Sequence, residues 1–538
     1  GAKIRRLSTG RSEAPAYYFV LTVHVRFTFC EFRNCLLLIL YRKDTTGRYK
    51  MLPPYFMSES KKKSLKLNYI YNVSYQVLSL ITPLVTTPYV SRVLGADRIG
   101  DYSFTASIVT YFSMVAVLGT LTYGNREISY LQDDRTKRSI LFWEVELLSF
   151  LSTAVCTAAY LIFLLFCDRS MFSLFAVQTI SIICVAFDIA WLLQGLEEFG
   201  KIMLRNMFFK VLNIVFIFVF VRSQNDLLLY VSGMVILALF SNLSIWLYLP
   251  QYVDKPDWKN LHPLRHLRPT LALFIPSAAM SIYTVFDKTM IGIFANNFEN
   301  GYYEQALKVS KTALTLVTAL GAVMIPRMGY FFNQNEKEKV KELTYQSYNF
   351  VWFLGVPLCF GLIGTASNFV PWFYGKGYDR ITVLLPILGL LILVIGLSNV
   401  TGIQYFVTTK REKLLTKTVL TGAAVNFICN LLFIPKLYSI GAAFASVIAE
   451  SVITVTQLYM IRKELSSIRI FRQSIKYLLA GAVMLTLLFI ENHYLSASIL
   501  HTFIMVATGA ATYFAMLLLL RDEFFFGYLK LLMQKLRL

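Results

Sequence analysis

Charged residues are scarce in this sequence. Only 15% of its 538 residues are Asp, Glu, Lys or Arg, whereas 56% are hydrophobic. A water-soluble protein of this length needs a larger polar surface than such a composition provides. The composition therefore excludes an ordinary soluble protein and indicates a membrane protein.

Residue types and motifs that carry out chemistry in enzymes are also few or scattered. The seven cysteines show no spacing typical of a metal site, and the five histidines lie near predicted loops and helix ends without forming a triad. The sequence contains no Walker motif, so it does not indicate direct use of ATP. We predict a protein that holds no metal or organic cofactor.

Long apolar runs, in contrast, occur along most of the chain. Fourteen of them are about 20 residues long, which is enough for a helix to cross about 30 Å of hydrocarbon. We therefore predict an all-α integral membrane protein with about 14 transmembrane helices. The predicted spans are residues 67–90, 102–123, 141–166, 172–194, 207–221, 227–249, 271–295, 303–325, 348–370, 383–407, 417–434, 440–461, 475–490 and 499–520.

Lys and Arg alternate between the loops that join these spans. Loops after even-numbered spans contain 24 of them, and loops after odd-numbered spans contain 7. The positive-inside rule places the richer set, and both chain termini, in the cytoplasm. The net charge of +21 is thus an orientation signal, and its spread beside the spans argues against binding of nucleic acid.

The first 56 residues do not share this pattern. Their one apolar patch, residues 35–41, is too short to span a membrane, and neither the apolar core nor the cleavage site of a secretory signal is found. The stretch from Met57 is typical of a cytoplasmic start. We expect residues 1–56 to be an extension that is not native or is disordered.

Two parts of the chain are similar to each other at an offset of about 200 residues. Gly-Asp-Tyr at 100–102 and Gly-Tyr-Tyr at 301–303 each open a helix after a short polar loop, and two further similarities follow in the same order. We predict two six-helix lobes, residues 57–250 and 251–463, followed by two helices and a cytoplasmic tail in residues 464–538. Since each repeat has an even number of spans, the predicted axis is a pseudo-twofold along the membrane normal, with a central cavity.

Ionisable residues inside the predicted spans indicate what this cavity binds. In lipid each costs about 2.5 to 3.5 kcal/mol, so we expect them to face a cavity or one another. Lys308 and Lys311 share a helix face, and with Lys288 they predict a cationic cluster suited to phosphate oxygens. The structural alternative is an ion pair of Asp287 with a lysine that only holds two helices together.

Other polar residues extend this prediction. Asn72 and Gln76 lie on one face of span 1 and are predicted to contact substrate, although interhelical hydrogen bonds are the alternative. Asp188, Asp287 and Glu450 are candidates for coupling to H⁺ or Na⁺ or for lining the cavity, with a packing hydrogen bond as the alternative for Glu450.

Two blocks of sequence resemble a known family. Residues 82–129, which include VSRVLGADRIGDYSF, and residues 287–328, which include GYYEQALKV, are similar to the polysaccharide transporter, or Wzx-type oligosaccharide flippase, branch of the MOP superfamily. The resemblance extends over the chain after Met57. It implies a MATE-like, two-lobed transporter of the bacterial cytoplasmic membrane, which moves an undecaprenyl-pyrophosphate-linked oligosaccharide to the outer leaflet by alternating access.

The resemblance also implies a site and partners. The family uses a basic central cavity for the pyrophosphate and sugars, which makes Arg92 a further candidate beside the three lysines. A polysaccharide polymerase and chain-length machinery are the implied protein partners. Related lipid II flippases carry an Arg-Asp pair in the first helix, where this sequence has Thr and Pro, and this departure argues against lipid II as the substrate.

Two other functions fit the apolar pattern. A multidrug or organic-cation exporter of the same superfamily is the first, but its cavity should favour acidic and aromatic groups, whereas spans 7 and 8 offer three lysines against one aspartate. A membrane polymerase or glycosyltransferase is the second. Such enzymes need catalytic residues on a substantial outer loop, and the outer loops predicted here are all short.

Overall fold

The computed structural model describes residues 41–43, 49–51, 59–527 and 533. The described residues divide into two compact units. The first contains the residues up to Lys63 and those from Leu517 onward, and the second contains Ser64–Met516. In the first, strands β1 (Tyr41–Lys43) and β2 (Tyr49–Met51) pair antiparallel. The prediction for residues 1–56 otherwise lies outside the described residues.

Helices make up almost all of the described chain. They are α1 (Glu59–Val117), α2 (Thr120–Tyr130), α3 (Arg135–Phe166), α4 (Phe172–Ala186), α5 (Ala190–Gly195), α6 (Phe199–Phe220), α7 (Leu227–Trp246), α8 (Leu249–Tyr252), α9 (Leu267–Phe294), α10 (Asn297–Thr318), α11 (Gly321–Asn333), α12 (Lys337–Tyr374), α13 (Asp379–Asn399), α14 (Glu412–Leu437), α15 (Ser439–Ile461), α16 (Ser467–Tyr494) and α17 (Ile499–Leu519).

The predicted all-helical membrane fold is confirmed. Within the described residues, 12 helical segments are long and apolar enough to cross a membrane. One of them, Ser74–Tyr130, contains the predicted spans 1 and 2, which are separated at Gly95, where the backbone leaves the helical region (φ 79°, ψ 166°). Span 7 falls in α9. Every predicted span coincides with a helix, while the exact number of membrane crossings stays a prediction.

Three predicted spans are interrupted rather than continuous. Span 2 breaks at Leu118 and Gly119, and span 8 breaks 201 residues later, at Ala319 and Leu320. Gly119 has a φ of 75°, a conformation that glycine adopts without strain. Span 4 breaks at 187–189, where the Asp188 carboxylate accepts a hydrogen bond from the backbone N–H of Ala190. Side chains of this kind make a break inside a membrane tolerable by satisfying backbone groups that lack a helical partner.

Packing separates the interior from the surface that lipid would cover. In α13, Leu384, Leu385 and Leu388 are completely buried at the centre of an apolar cluster. On α3 and α6, large apolar side chains such as Leu165 and Phe208 are exposed instead. Exposed apolar side chains along spanning helices are expected of a protein whose surrounding medium is hydrocarbon.

Candidate functional site

The two predicted repeats meet through close backbone contacts at one end of the bundle. A Cβ atom added to Gly100 in α1 would lie 1.7 Å from the carbonyl oxygen of Asn297, and one added to Gly301 in α10 would lie 1.9 Å from that of Ala96. Asn297 follows Ala96 by 201 residues, and Gly301 follows Gly100 by the same number. The contact is therefore reciprocal, as in a twofold-related pair, and this supports the predicted duplication.

Hydrogen bonds reinforce this region, residues 91–103 with 296–301, which we call the sealed end. The Asn297 amide donates to the Asp101 carboxylate, and the Ser103 hydroxyl donates to the Asn300 side-chain oxygen at 3.3 Å. The Tyr378 hydroxyl donates to the carbonyl oxygen of Ser91 at 2.9 Å. These contacts join helices of both repeats and leave little room for a solute.

Arg92 belongs to the sealed end and not to the predicted cationic cluster. Its side chain is exposed, and its guanidinium donates a hydrogen bond to the carbonyl oxygen of Trp372, near the end of α12. The structure therefore does not bring Arg92 together with the lysines. The side chain of Asn72, another predicted substrate contact, lies outside the described residues.

A cavity of about 540 Å³ lies between α1 and α10. Tyr75, Gln76 and Ser79 line it from α1, and Lys308 and Lys311 line it from α10. The predicted polar face of span 1 and the predicted lysine pair thus border one space. Lys311 is exposed to this space although it lies within a membrane-spanning helix, which is the arrangement that the sequence predicts for a hydrated cavity.

The lysines are held by a carboxylate that the sequence analysis missed. The Lys288 ammonium contacts one carboxylate oxygen of Glu304, and the Lys308 nitrogen lies 3.4 Å from the other. The predicted ion pair of Asp287 with a lysine is therefore not what joins α9 and α10. The spacing of Glu304 and Lys308, four residues apart on one helix, is the signal that identifies this pair.

Two more charged residues lie near the cavity. Glu450 of α15 acts electrostatically on Lys311, so the structure brings these two predicted residues together. Lys210 of α6 donates to the hydroxyl of Ser79 at 2.7 Å and lies 5.1 Å from the ring centre of Tyr75. Both of these partners line the cavity, so Lys210 adds a third lysine beside Lys308 and Lys311.

Asp287 lies at a buried junction of four helices. Its carboxylate accepts hydrogen bonds from the Tyr303 hydroxyl at 2.6 Å, from the Asn426 amide at 3.0 Å and from the Asn430 amide at 2.7 Å, and the Ser446 hydroxyl also donates to it. These donors come from α10, α14 and α15. A carboxylate surrounded by neutral oxygen-bearing side chains is a chemically suitable place for a proton or a small hard cation.

Asp188 stands apart from this junction, at the break between α4 and α5. It acts electrostatically on two charged groups, Glu146 of α3 and Arg205 of α6. Glu146 is almost completely buried and was not among the predicted site residues. Asp188 therefore lies apart from Asp287 and Glu450, which both act electrostatically on Lys311.

The described cysteines agree with a packing role. All five, Cys156, Cys167, Cys184, Cys359 and Cys429, are free thiols in or next to apolar helices. Across the part of the chain that the structure describes, no group of three or more metal-ligating side chains is present.

Comparisons with known proteins give a consistent result. The sequence model of a family described as polysaccharide biosynthesis protein matches residues 65–332. A putative O-antigen transporter of Escherichia coli strain K12 is 25% identical over 419 residues, which cover 75% of this chain and 98% of that protein.

Solved structures of low sequence identity share the fold. A lipid II flippase, MurJ, in an inward closed conformation has a TM-score of 0.67 and 16% identity, with 85% of this chain and 99% of that chain covered. A multidrug resistance MATE family transporter of the MOP superfamily, in an inward-facing conformation, has a TM-score of 0.57 and 14% identity, with 75% and 98% covered. The predicted MATE-like fold is thus confirmed.

Proposed function

Since the model of the polysaccharide biosynthesis protein family matches residues 65–332, we propose that this chain is a flippase that moves a lipid-linked oligosaccharide across the membrane by alternating access. Its relative is named as a transporter, and its structural neighbours are a flippase and a transporter, so the chain is a transporter and not an enzyme. The expected substrate is an oligosaccharide on undecaprenyl pyrophosphate.

The observation that carries this proposal is the pair Lys308 and Lys311 in the cavity. A charged, hydrated head group cannot cross hydrocarbon unaided, because stripping water from its phosphates costs far more than transport can supply. Ammonium groups in the cavity replace that water and bind phosphate oxygens. In the proposed cycle the polyprenyl chain remains in lipid while the head group passes through the cavity.

The same observation disfavours an organic-cation exporter. In and near the cavity the four lysines 210, 288, 308 and 311 outnumber the three acidic residues 287, 304 and 450, so the local charge is positive. A cationic drug would be repelled by this charge, whereas a pyrophosphate would be attracted.

The orientation follows from the loop charges. We place both termini in the cytoplasm of a bacterial cell and the sealed end at the outer face of the cytoplasmic membrane. With that end closed, we infer that the cavity accepts its substrate from the cytoplasm. A polysaccharide polymerase and chain-length machinery would act on the product at the outer face.

Coupling to an ion gradient would give the transport its direction. Asp287 is our candidate for binding H⁺ or Na⁺, since its carboxylate meets side chains of three other helices, and occupancy would favour one arrangement of those helices. Glu450 would act through Lys311, the residue that it contacts electrostatically.

The test removes the two cavity lysines. Lys308→Gln with Lys311→Gln should reduce surface polysaccharide at least about tenfold in a strain that depends on this chain, because the phosphates lose two charge-assisted contacts of about 1.5 to 3 kcal/mol each. The control is Lys413→Gln with Lys417→Gln, two exposed lysines of α14 four residues apart. Undiminished polysaccharide in a folded, membrane-inserted double variant would reject the proposed site.

A further inference from the structure

A second carboxylate deep in the protein lacks the partners that Asp287 has. Glu146 is only 1% exposed, and its Oε1 atom has no hydrogen-bond partner among the described residues. Two residues earlier, Glu144 is equally buried, but it accepts a hydrogen bond from the backbone N–H of His262 at 2.8 Å and contacts both Arg265 and His266. Glu144 and Glu146 are therefore alike in burial. They differ in that Glu144 contacts cationic side chains and Glu146 has none among the described residues.

Aromatic residues lie one helical turn to either side of Glu146. Phe142 and Phe150 lie four residues to either side of it on the same face of α3. Phe142 stacks on Trp191 at 5.4 Å, and Phe150 lies 5.7 Å from Phe187. Ring edges and faces in this enclosure offer little solvation to a negative charge, so an ionised Glu146 would be poorly accommodated there.

The electrostatic surroundings of Glu146 also disfavour a negative charge on it. Among the described residues, Asp188 is the one charged side chain that acts on it electrostatically, and it is an acid rather than a cation. Asp188 has its own cation, Arg205 of α6, and accepts the Ala190 N–H at 3.1 Å. Glu146 is thus the member of the pair that is better kept neutral.

Asp188 is the less buried member of this pair, and it lies toward the cavity. Arg205 lies within electrostatic range of both Asp188 and Tyr75. Tyr75 lines the cavity between α1 and α10. Asp188 is therefore the member of the pair from which a proton would leave for the cavity.

We propose that Glu146 binds and releases one proton in each transport cycle, with Asp188 as its exchange partner. This inference rests on the proposed flippase function and adds a proton site to it that is distinct from Asp287. On release, the O–H bond of the Glu146 carboxyl breaks, the proton passes to the Asp188 carboxylate and then to water, and Glu146 is left as an anion. The helices around the enclosure must then move apart to admit water, which couples the proton to the change of state.

Infrared spectroscopy of the purified full-length protein tests the protonation directly. At neutral pH the wild type should show the C=O stretching band of a protonated carboxyl, and Glu146→Gln should lose the intensity of one such group. Glu144→Gln is the matched control and should leave the band unchanged, since Glu144 is paired with cations. An identical band in the wild type and in Glu146→Gln overturns the proposal. If Glu146→Gln does not fold, Glu146→Asp should shift the band, and an unshifted band overturns it equally.

Complementation separates this inference from the proposed function. In a strain lacking its own flippase, the wild type should restore surface polysaccharide and Glu146→Gln should restore at least tenfold less. Equal restoration by both would reject the proton site while leaving the flippase function standing. Failure of the wild type with its cognate substrate would reject the flippase function, and the infrared result would still decide the state of Glu146.

Discussion

Glu304 controls how much of the lysine charge in the cavity is free to bind a substrate. It contacts both Lys288 and Lys308 and has a side chain only 11% exposed. Removing one member of a buried ion pair leaves the other charges without compensation. We expect Glu304→Gln to lower the free energy of unfolding by about 2 kcal/mol, less than for a fully buried pair because the lysines keep some solvent contact. Thermal unfolding of the purified protein measures this change.

A surface pair provides the comparison. Glu338 and Lys341 are 2.7 Å apart, but the Glu338 side chain is 86% exposed. Exposed pairs contribute little, so Glu338→Gln should change the unfolding free energy by less than about 0.5 kcal/mol. Equal shifts for the two variants would mean that Glu304 does not hold the lysines as the structure indicates.

Sequence spacing identifies some of these residues and not others. Lys308 and Lys311 are three residues apart on one helix, so their common face follows from helical geometry alone. The position of Arg92 depends on a carbonyl group 280 residues away, and no local pattern predicts such a contact. Glu146 is missed for a related reason, because its lack of a cation is a property of the packed helices.

For the helices too, some features can be predicted from the sequence and others cannot. Hydropathy predicts where each helix lies because about 20 consecutive residues contribute to the signal. A break of two or three residues, as at Gly119 or at Asp188, barely changes such an average. The breaks depend on φ at one residue or on one hydrogen bond from a side chain, and they become recognisable only in the folded chain.

The sealed end gives a prediction about these elements. Gly301→Ala places a methyl group against the Ala96 carbonyl, and Gly100→Ala places one against that of Asn297. Overpacking of this kind costs about 1 to 3 kcal/mol, so each variant should shift the equilibrium away from the sealed state by about fivefold or more. The measurement uses spin labels at Asp97→Cys and Phe298→Cys in a chain whose native cysteines are replaced by Ser. In each glycine variant, the distribution of the distance between the two labels should contain a larger population of long distances than in the parent chain.

The reciprocal contact of Gly100 and Gly301 adds a second expectation to this prediction. Because the two glycines occupy equivalent places in the two repeats, the two variants should give similar shifts. Gly329→Ala is the control, since a Cβ there meets nothing within 4 Å. A distance distribution that changes for only one of the two glycine variants would contradict the equivalence of the repeats.

The whole molecule combines these features into one asymmetric state. Both repeats contribute a helix break at equivalent positions, and both contribute a glycine to the sealed end, yet the charged residues differ between them. The C-terminal repeat carries Lys288, Lys308 and Lys311, whereas the N-terminal repeat carries the Glu146 and Asp188 pair. The cavity takes residues from both predicted repeats, α1 and α6 of the first and α10 of the second, whereas the proposed proton site at Glu146 lies within the first.

Access to the cavity from one side only is the consequence that tests this arrangement. Ser79 lines the cavity from α1, and the sealed end closes the other side, which we assign to the outer face. The test uses a chain whose native cysteines are replaced by Ser. In it, Ser79→Cys should react with a membrane-impermeant maleimide at least about tenfold faster in inverted vesicles than in intact cells. The reason is that a minor, outward-open state is populated at only about 0.1 to 10%. Lys376→Cys and Lys413→Cys, both exposed, mark the outer and the cytoplasmic face. Faster labelling of Ser79→Cys in intact cells, with both markers behaving as assigned, would place the opening of the cavity at the outer face and reverse the direction of the proposed cycle.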